Sequence, residues 1–411
     1  MKVVTTSNKT YSYSPKNNEI VCGENPSLSG DGFSFKSFAP FYRLPNLDSF
    51  ILNLTEQCNL RCSYCCYSGI YKNNRIHSSK SMTESDIPPI LQFIDRHAAK
   101  FPIIISFYGG EPLLQYDLLK KIILLSENQW GKQVEFYVGT NATLLTFERI
   151  DWLVKHKVLI AISVDGAKRM HDRYRKDRQG KGSFDQLILA LSYIKQKYPA
   201  YLKDKVFLLT TVVSFNDIPF LAESWHQDHV LHNIRPSIIS SLAPNFRTNV
   251  QRQKWEDVRA SHEKLLNLYD KHRDWLFLKS FFDGCIKDWK TRPIMDINGE
   301  VPLSTCLPSN NKLFVDSYGD LYVCEKFSNC YPIGNVSDGV DWKAANDLAS
   351  RFYIRQKDQC KKCPAIRMCS LCLTSIEFNK EQMDVLCHNE RIYTKINFWL
   401  FCEMAERGMI E

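Results

Sequence analysis

Cys58-Asn-Leu-Arg-Cys62-Ser-Tyr-Cys65 puts three thiols on one short stretch at C-x3-C-x2-C spacing. Thiolates so spaced can hold three corners of a cubane iron–sulfur cluster from a single loop. A cubane normally takes four cysteine ligands, so three leave one iron open to a small molecule. An open iron is a place where chemistry can happen. Zinc knuckles give similar triplets, so spacing alone leaves both readings standing. A second group lies toward the C-terminus. Cys306-x12-Gly319-x4-Cys324 is followed by Cys360-x2-Cys363-x5-Cys369-x2-Cys372 and then Cys387. Seven cysteines in this order signal bound metal, with a zinc ribbon on the C-x2-C pairs as the alternative to clusters.

The elements that must position these residues follow from hydrophobic periodicity. Strand-like runs occur at 49–55, 103–108, 134–139, 159–164, 206–214 and 231–239. Helix-like segments at 83–98, 113–126, 146–156, 183–197 and 218–226 lie between them. The alternation predicts parallel βαβ units of the α/β class. Six strands fall short of eight, so the expected architecture is a partial (β/α)6 TIM-like barrel. Active sites of such barrels lie at the C-terminal strand ends, where Cys58, Gly109-Gly110-Glu111, Asn141 and Asp165-Gly166 all sit. The expected layout is an N-terminal extension (1–48), the partial barrel (49–244), a helical bridge (245–299), a cysteine-rich domain (300–390) and a C-terminal helix (391–411). Within the cysteine-rich part, Asp316-Ser-Tyr-Gly319-Asp320 between two apolar runs is a hairpin signal.

Composition narrows the class. The chain has 411 residues, 44% of them hydrophobic, and fifteen cysteines. No apolar run approaches the roughly 20 residues of a membrane span, and the polar N-terminus is no signal peptide. The expectation is a cytoplasmic protein with no membrane partner, whose cysteines serve metal or catalysis rather than disulfides. Cys22, Cys66, Cys330 and Cys402 are expected to be small buried hydrophobes. Net charge is +8, with a basic stretch from Lys168 to Arg178. Aspartates interrupt it, so it reads as a solvated surface rather than a nucleic-acid site. A mild positive surface suits an acidic peptide or an anionic cofactor.

These motifs together resemble the radical S-adenosylmethionine (SAM) family with a C-terminal SPASM domain, over residues 49–390. The resemblance implies one SAM-binding 4Fe–4S cluster on Cys58, Cys62 and Cys65, with Tyr64 as the aromatic before the third cysteine. Gly109-Gly-Glu-Pro112 looks like the family's GGEP motif, which implies that Gly109, Gly110 and Glu111 receive the methionine amino group of SAM. Ile162-Ser163-Val-Asp-Gly166 and His171-Asp-Arg-Tyr-Arg175 look like the strand-four signature, implying that Ser163 and Arg175 contact the SAM ribose or carboxylate. Thr140-Asn141-Ala142-Thr143 resembles a T-N-G-T turn, with alanine in place of glycine. Two auxiliary 4Fe–4S clusters are implied. Cys306, Cys324 and Cys372 would serve one, and Cys360, Cys363, Cys369 and Cys387 the other. Where eight ligands occur, another cysteine stands shortly before the first; here the nearest upstream is Cys285.

By the same likeness the enzyme cleaves SAM reductively and uses a 5′-deoxyadenosyl radical to take hydrogen from a ribosomally made peptide. A cross-link (thioether, carbon–carbon or carbon–oxygen) is the expected product. Formylglycine formation, as in anaerobic sulfatase maturases, and peptide epimerisation are the alternatives, with a non-catalytic metal-binding protein more distant. Glu325, directly after Cys324, is the expected catalytic base, as a carboxylate there takes a substrate proton in sulfatase-maturing relatives. The implied partners are a precursor peptide and an electron donor such as flavodoxin or ferredoxin.

Overall fold

The computed structural model describes residues 1–24, 38–44, 46–71, 74–241, 251–291 and 311–410. It divides into two compact units. The larger comprises Pro40–Phe246 and Cys306–Leu348.

The first three strands of the chain, β1 (Lys2–Val4), β2 (Thr10–Ser14) and β3 (Glu19–Cys22), belong to the smaller unit. The larger unit is built on β4 (Ser49–Thr55), β5 (Ile103–Gly109), β6 (Val134–Thr140), β7 (Leu159–Ser163), β8 (Val206–Val212) and β9 (Ile238–Ser241). These six pair in sequence order and in parallel. Two later strands extend the sheet. β10 (Lys312–Val315) pairs in parallel with β4, and β11 (Leu321–Tyr322) pairs antiparallel with β10. The described sheet thus runs from β11 to β9 with eight strands, mostly parallel, the partial barrel read from the alternation.

The last expected strand is displaced. Leu231–Asn233 forms a 3-10 turn, and β9 begins only at Ile238. The Asp228 carboxylate accepts the N–H groups of Val230 and Leu231, both at 2.9 Å, and so caps a helical turn where apolar residues had mimicked a strand.

Burial alternates along the strands and separates two faces. Ile103, Ile105 and Phe107 of β5, and Val134, Phe136 and Val138 of β6, are buried. That face packs against helices: Phe50 of β4 meets Phe93 of α1 (Ile87–His97) edge-on at 6.4 Å. The other face, with Ser106, Tyr108, Tyr137 and Ser163, is only half-buried and is the barrel lumen. Four helices follow in the barrel crossovers: α2 (Tyr116–Trp130), α3 (Phe147–Lys155), α4 (Lys168–Tyr174) and α5 (Phe184–Lys197). Then come α6 (Pro199–Lys205) and α7 (Ile218–Gln227).

The smaller unit comprises Met1–Ala39, Arg247–Thr305 and Ala349–Glu411. Its β1, β2 and β3 form an antiparallel sheet. Two helices, α8 (Trp255–Lys271) and α9 (Leu276–Thr291), lie wholly in it, and α10 (Trp342–Cys360) has residues in both units. The 27-residue α11 (Lys380–Glu406) starts well before the C-terminal helix expected at 391–411. Its Trp399 is fully buried, and Phe398 packs 4.8 Å from Trp289 of α9. Cys285 of α9 is buried too, and its thiol donates to the Asn397 carbonyl at 3.5 Å. Cys402 is buried as expected, but Cys22 and Cys330 are exposed. Cys22 closes a strand with a single neighbour, and Cys330 follows a turn, so neither is covered. No described helix is long and apolar enough to cross a membrane.

Candidate metal centre

The loop after β4 carries Cys58, Cys62 and Cys65, and four separate clasps hold it. The first is the end of β5. Gly110 N–H donates to Thr55 O at 2.7 Å and Glu111 N–H to Gln57 O at 2.8 Å. A Cβ on Gly109 would strike Asn53 and the Thr55 carbonyl, and one on Gly110 the Gln57 carbonyl. Only glycines allow this approach, and Gly109 also takes φ +129°.

The second clasp is the turn after β6. Asn141 donates its amide to Asn59 Oδ1 at 2.9 Å and to Cys58 Sγ at 3.9 Å, and Asn59 donates in turn to Thr143 Oγ1 at 2.7 Å. Glu111 joins the first two clasps. Its buried carboxylate accepts from Leu113 N at 3.1 Å, Thr140 Oγ1 at 2.7 Å and Asn141 N at 2.8 Å. Burial raises its pKa, and these donors oppose the rise. Ala142 takes φ +64°, the left-handed conformation for which the resembling turn has glycine.

The third clasp comes from β7 and α4. Residues 60–63 lie as an extended edge against 174–177: Arg61 N donates to Lys176 O at 2.6 Å and Ser63 N to Tyr174 O at 3.0 Å. Asp165, 2% exposed, accepts Arg175 Nε at 2.7 Å, the Tyr64 hydroxyl on the same oxygen, and Thr211 N at 2.9 Å on the other. The Arg175 guanidinium lies 5.5 Å from the Tyr64 ring centroid. His171 is wholly buried behind this pair. Its Nδ1 accepts Asp165 N–H at 3.3 Å, so Nε2–H donates to Ser183 Oγ at 3.0 Å, and that hydroxyl donates to Arg175 O at 3.2 Å. Burial lowers the His171 pKa to about 3, which keeps the ring neutral. The Ser163 hydroxyl is half-buried at the end of β7.

The fourth clasp is local. Tyr67 N–H donates to Cys65 Sγ at 3.4 Å, and Leu60 N–H to Cys58 Sγ at 3.4 Å. His77 Nδ1 donates to Glu56 O at 3.1 Å, which leaves Nε2 facing Cys65 Sγ at 3.9 Å. Burial pushes Cys58 up to about 12 and Cys62 up to about 11, the latter opposed by Arg175. Such thiols stay protonated until a metal takes them. Three thiols, two of them met by N–H donors, a glycine cradle and a buried cation beside Cys62 fit a thiolate-held cluster. The amide of Asn53, wholly buried beside that cradle, has no hydrogen-bond partner for either atom.

Glu325 stands in the same unit. Lys312 lies opposite Ser49 in register and reaches Glu325 Oε2 at 3.4 Å. The charge of Cys66, then burial, then the Glu325 carboxylate raise the phenol of Tyr108 well above its ordinary value.

In the smaller unit, Cys360, Cys363, Cys369 and Cys387 line one cavity with Arg355, Glu390 and Arg391. Cys360 ends α10, Cys363 N–H donates back to Cys360 O at 3.0 Å, and Cys387 projects from α11. Glu390 fixes the intervening turn by accepting Ser370 N at 3.1 Å and Ser370 Oγ at 2.8 Å. Burial pushes Cys360 up to about 12 and also raises Cys387. Cys372 lies outside this lining, its sulfur 3.1 Å from Thr374 Oγ1. Cys306 lies outside the described residues, and Cys324 is buried in the larger unit. Among the described residues no three Cys, His, Asp or Glu groups converge as they would around a single metal ion. The four thiols surround a space instead of a point.

Residues 52–217 match the Radical SAM superfamily model. This segment is a radical SAM domain. The chain is 25% identical over 361 residues to a cysteine-type anaerobic sulfatase-maturating enzyme of Clostridium novyi, spanning 82% of this chain and 90% of that one. It is 24% identical to the radical SAM cyclopropyl synthase TigE of Paramaledivibacter caminithermalis, over 79% and 68% of the two chains. The solved structure of native anSMEcpe with bound AdoMet and Cp18Cys peptide superposes with a TM-score of 0.64 at 19% identity, over 88% and 98%. The fold is therefore that of radical SAM enzymes.

Sequence reasoning named the cysteines, the glycines and Arg175, and set Asp165 on the rim and His171 in a motif without giving either a role, but it passed over Ser183. The spacing Asp165-x5-His171-x3-Arg175 was visible, yet nothing local shows that the three side chains fold back on one another.

Proposed function

We propose that this protein is a radical SAM maturase of a peptide or protein substrate. The observation that carries it is one arrangement in the radical SAM domain. A three-cysteine loop is clasped by Gly109-Gly110-Glu111, Asn141 and the Asp165–Arg175 pair. Cys58, Cys62 and Cys65 would hold a 4Fe–4S cluster, with Tyr64, Gly109, Gly110, Glu111, Asn141, Ser163 and Arg175 around its SAM. Cluster and SAM together supply one-electron cleavage of the sulfonium and abstraction of hydrogen from carbon. The chain's own part is positional. Gly109 and Gly110 admit backbone contact, and Glu111 supplies an acceptor with lone pairs left over for an ammonium. Arg175 keeps positive charge beside Cys62. Glu325, paired with Lys312, is the base for a proton leaving the substrate.

Cys360, Cys363, Cys369 and Cys387 would hold one auxiliary 4Fe–4S cluster. Cys306, Cys324 and Cys372 are assigned to a second, with Cys285 held in its own helix packing. A flavodoxin or ferredoxin is the proposed electron source. Oxidative cross-linking of a ribosomal peptide is the finer reading. Formylglycine formation is favoured by a different observation: the similarity to the Clostridium novyi maturase spans 90% of that enzyme.

Mass spectrometry separates the two. Reconstituted enzyme, SAM and reductant are incubated anaerobically with short peptides encoded beside the gene and with peptides carrying a sulfatase motif. Loss of a hydrogen pair without a reactive aldehyde supports cross-linking. A hydrazine-reactive residue at the motif serine or cysteine supports formylglycine instead. Unchanged masses with every peptide contradict both readings, and no deuterium uptake from heavy water would then exclude epimerisation and with it the maturase reading.

A further inference from the structure

Lys168–Lys181 holds seven lysines and arginines against two aspartates, a net +5 within a chain of +8. Arg175 is buried in the site. Lys168, Arg169, Arg173, Lys176, Arg178 and Lys181 are all exposed. Lys168 is answered by Asp185, and Arg173 lies 3.8 Å from Asp217. Among the described residues, Arg169, Lys176, Arg178 and Lys181 form no ion pair.

A charge run by itself is a solvated face. What distinguishes this one is the backbone beneath it. The segment that displays Lys176 is the one paired with the three-cysteine loop, through Arg61 N to Lys176 O and Ser63 N to Tyr174 O, with Leu60 opposite Asp177. The Tyr174 ring stands 5.9 Å from that of Tyr64, the neighbour of Cys65. The display is built and not frayed. Asp177 Oδ1 accepts the N–H groups of Gln179 and Lys181, both at 2.9 Å, and Lys176 bridges to Gly182. On the flank, Arg169 lies over Phe220 beside a cleft between α4 and α7. A partner resting on these side chains is one paired segment away from Cys62.

We propose that this face docks an acidic one-electron donor protein of the reduced flavodoxin or ferredoxin kind. The assignment rests on the radical SAM reading above. One electron passes from the donor's reduced cofactor to the thiolate-held centre and leaves the donor one electron more oxidised; no bond is made or broken at the surface. Complementary charge raises encounter rates and is screened within a Debye length of about 8 Å at physiological salt. An acidic substrate peptide is the other candidate occupant. It fits less well, because a substrate must reach the lumen by Tyr108, whereas this face lies on the 174–177 side of the loop.

The test uses R169E/R178E/K181E in the full chain, with Lys176 of the clasp left intact and oxidised flavodoxin as the binding probe. Fluorescence anisotropy should show about tenfold weaker flavodoxin binding than wild type at low salt, a difference that shrinks as salt rises. Deoxyadenosine formation should fall about tenfold when reduced flavodoxin drives it and stay unchanged when dithionite does. Should three reversals prevent folding, R169Q/R178Q/K181Q is read by the same criteria. Undiminished flavodoxin binding overturns the assignment whatever the turnover. Equal loss with both reductants, or weakened binding of an acidic substrate peptide with donor binding intact, overturns it too. If the wild type yields no deoxyadenosine even with dithionite, the radical SAM reading fails first and the docking assignment with it.

Discussion

Asp165, just past the end of β7, binds Arg175, just past the end of α4, at 2.7 Å, and both side chains are almost wholly withdrawn from water. The pair does more than neutralise charge, because the same carboxylate receives the Tyr64 hydroxyl and so ties β7 to the three-cysteine loop. Removing one partner of a buried pair strands the other. Asp165→Ala should therefore cost about 3–5 kcal/mol in denaturant unfolding of the metal-free protein. A loss below 1 kcal/mol would mean that the guanidinium finds water or another acceptor there.

His171 makes stability depend on pH. Its ring is held neutral in the fold, with a pKa near 3 against the ordinary 6.5. Below pH 6.5 the unfolded chain binds a proton that the folded chain refuses, so stability falls with falling pH down to about 3. The contribution approaches about 1.4 kcal/mol per pH unit inside that window. Unfolding between pH 6 and 4 should accordingly be steeper for wild type than for His171→Gln, which cannot titrate.

Ala142 holds a left-handed conformation at 1% exposure. Glycine relieves the backbone but gives up a buried methyl, two effects of about 1 kcal/mol each and opposite sign. Ala142→Gly should thus unfold within about 1 kcal/mol of wild type. Ala142→Val should lose about 2–3 kcal/mol, since a β-branched residue resists this conformation and overpacks the site.

Glu325 is assigned to the step after hydrogen abstraction. Glu325→Gln keeps the shape and the contact with Lys312 but cannot take a proton. Product should fall about 100-fold while deoxyadenosine still forms, an uncoupling visible by chromatography of one reaction mixture. Parallel loss of both would instead make Glu325 part of the SAM site.

The cavity between α10 and α11 predicts a separable metal centre. Cys363→Ala/Cys369→Ala should lower iron by about four atoms per chain and leave deoxyadenosine formation in place. Unchanged iron with zinc present in the wild type would return those cysteines to a zinc ribbon.

How far the sequence reached can be judged at particular residues. Alternation exposed β4 to β8, because a strand half-buried on one face writes its period into its residues. It failed at Leu231, where one aspartate side chain turned an apolar run into a helical turn. The parallel pairing of β10 with β4 joins Lys312 to Ser49, a contact of such long range that no local pattern encodes it. The helix from Trp342 to Cys360 went unread within the cysteine-rich domain. The site divides the same way. Thiol spacing and paired glycines are local and were legible, whereas the Asp165–His171–Ser183 relay exists only once the loop folds back.

The central claim is that Cys58, Cys62 and Cys65 hold a centre that cleaves SAM. Its most direct test is anaerobic incubation of reconstituted protein with SAM and dithionite, followed by quantitation of 5′-deoxyadenosine for wild type and Cys62→Ala. Deoxyadenosine from wild type and none from Cys62→Ala is the predicted result. Equal amounts from both, or none from a wild type that carries its full iron, would contradict it.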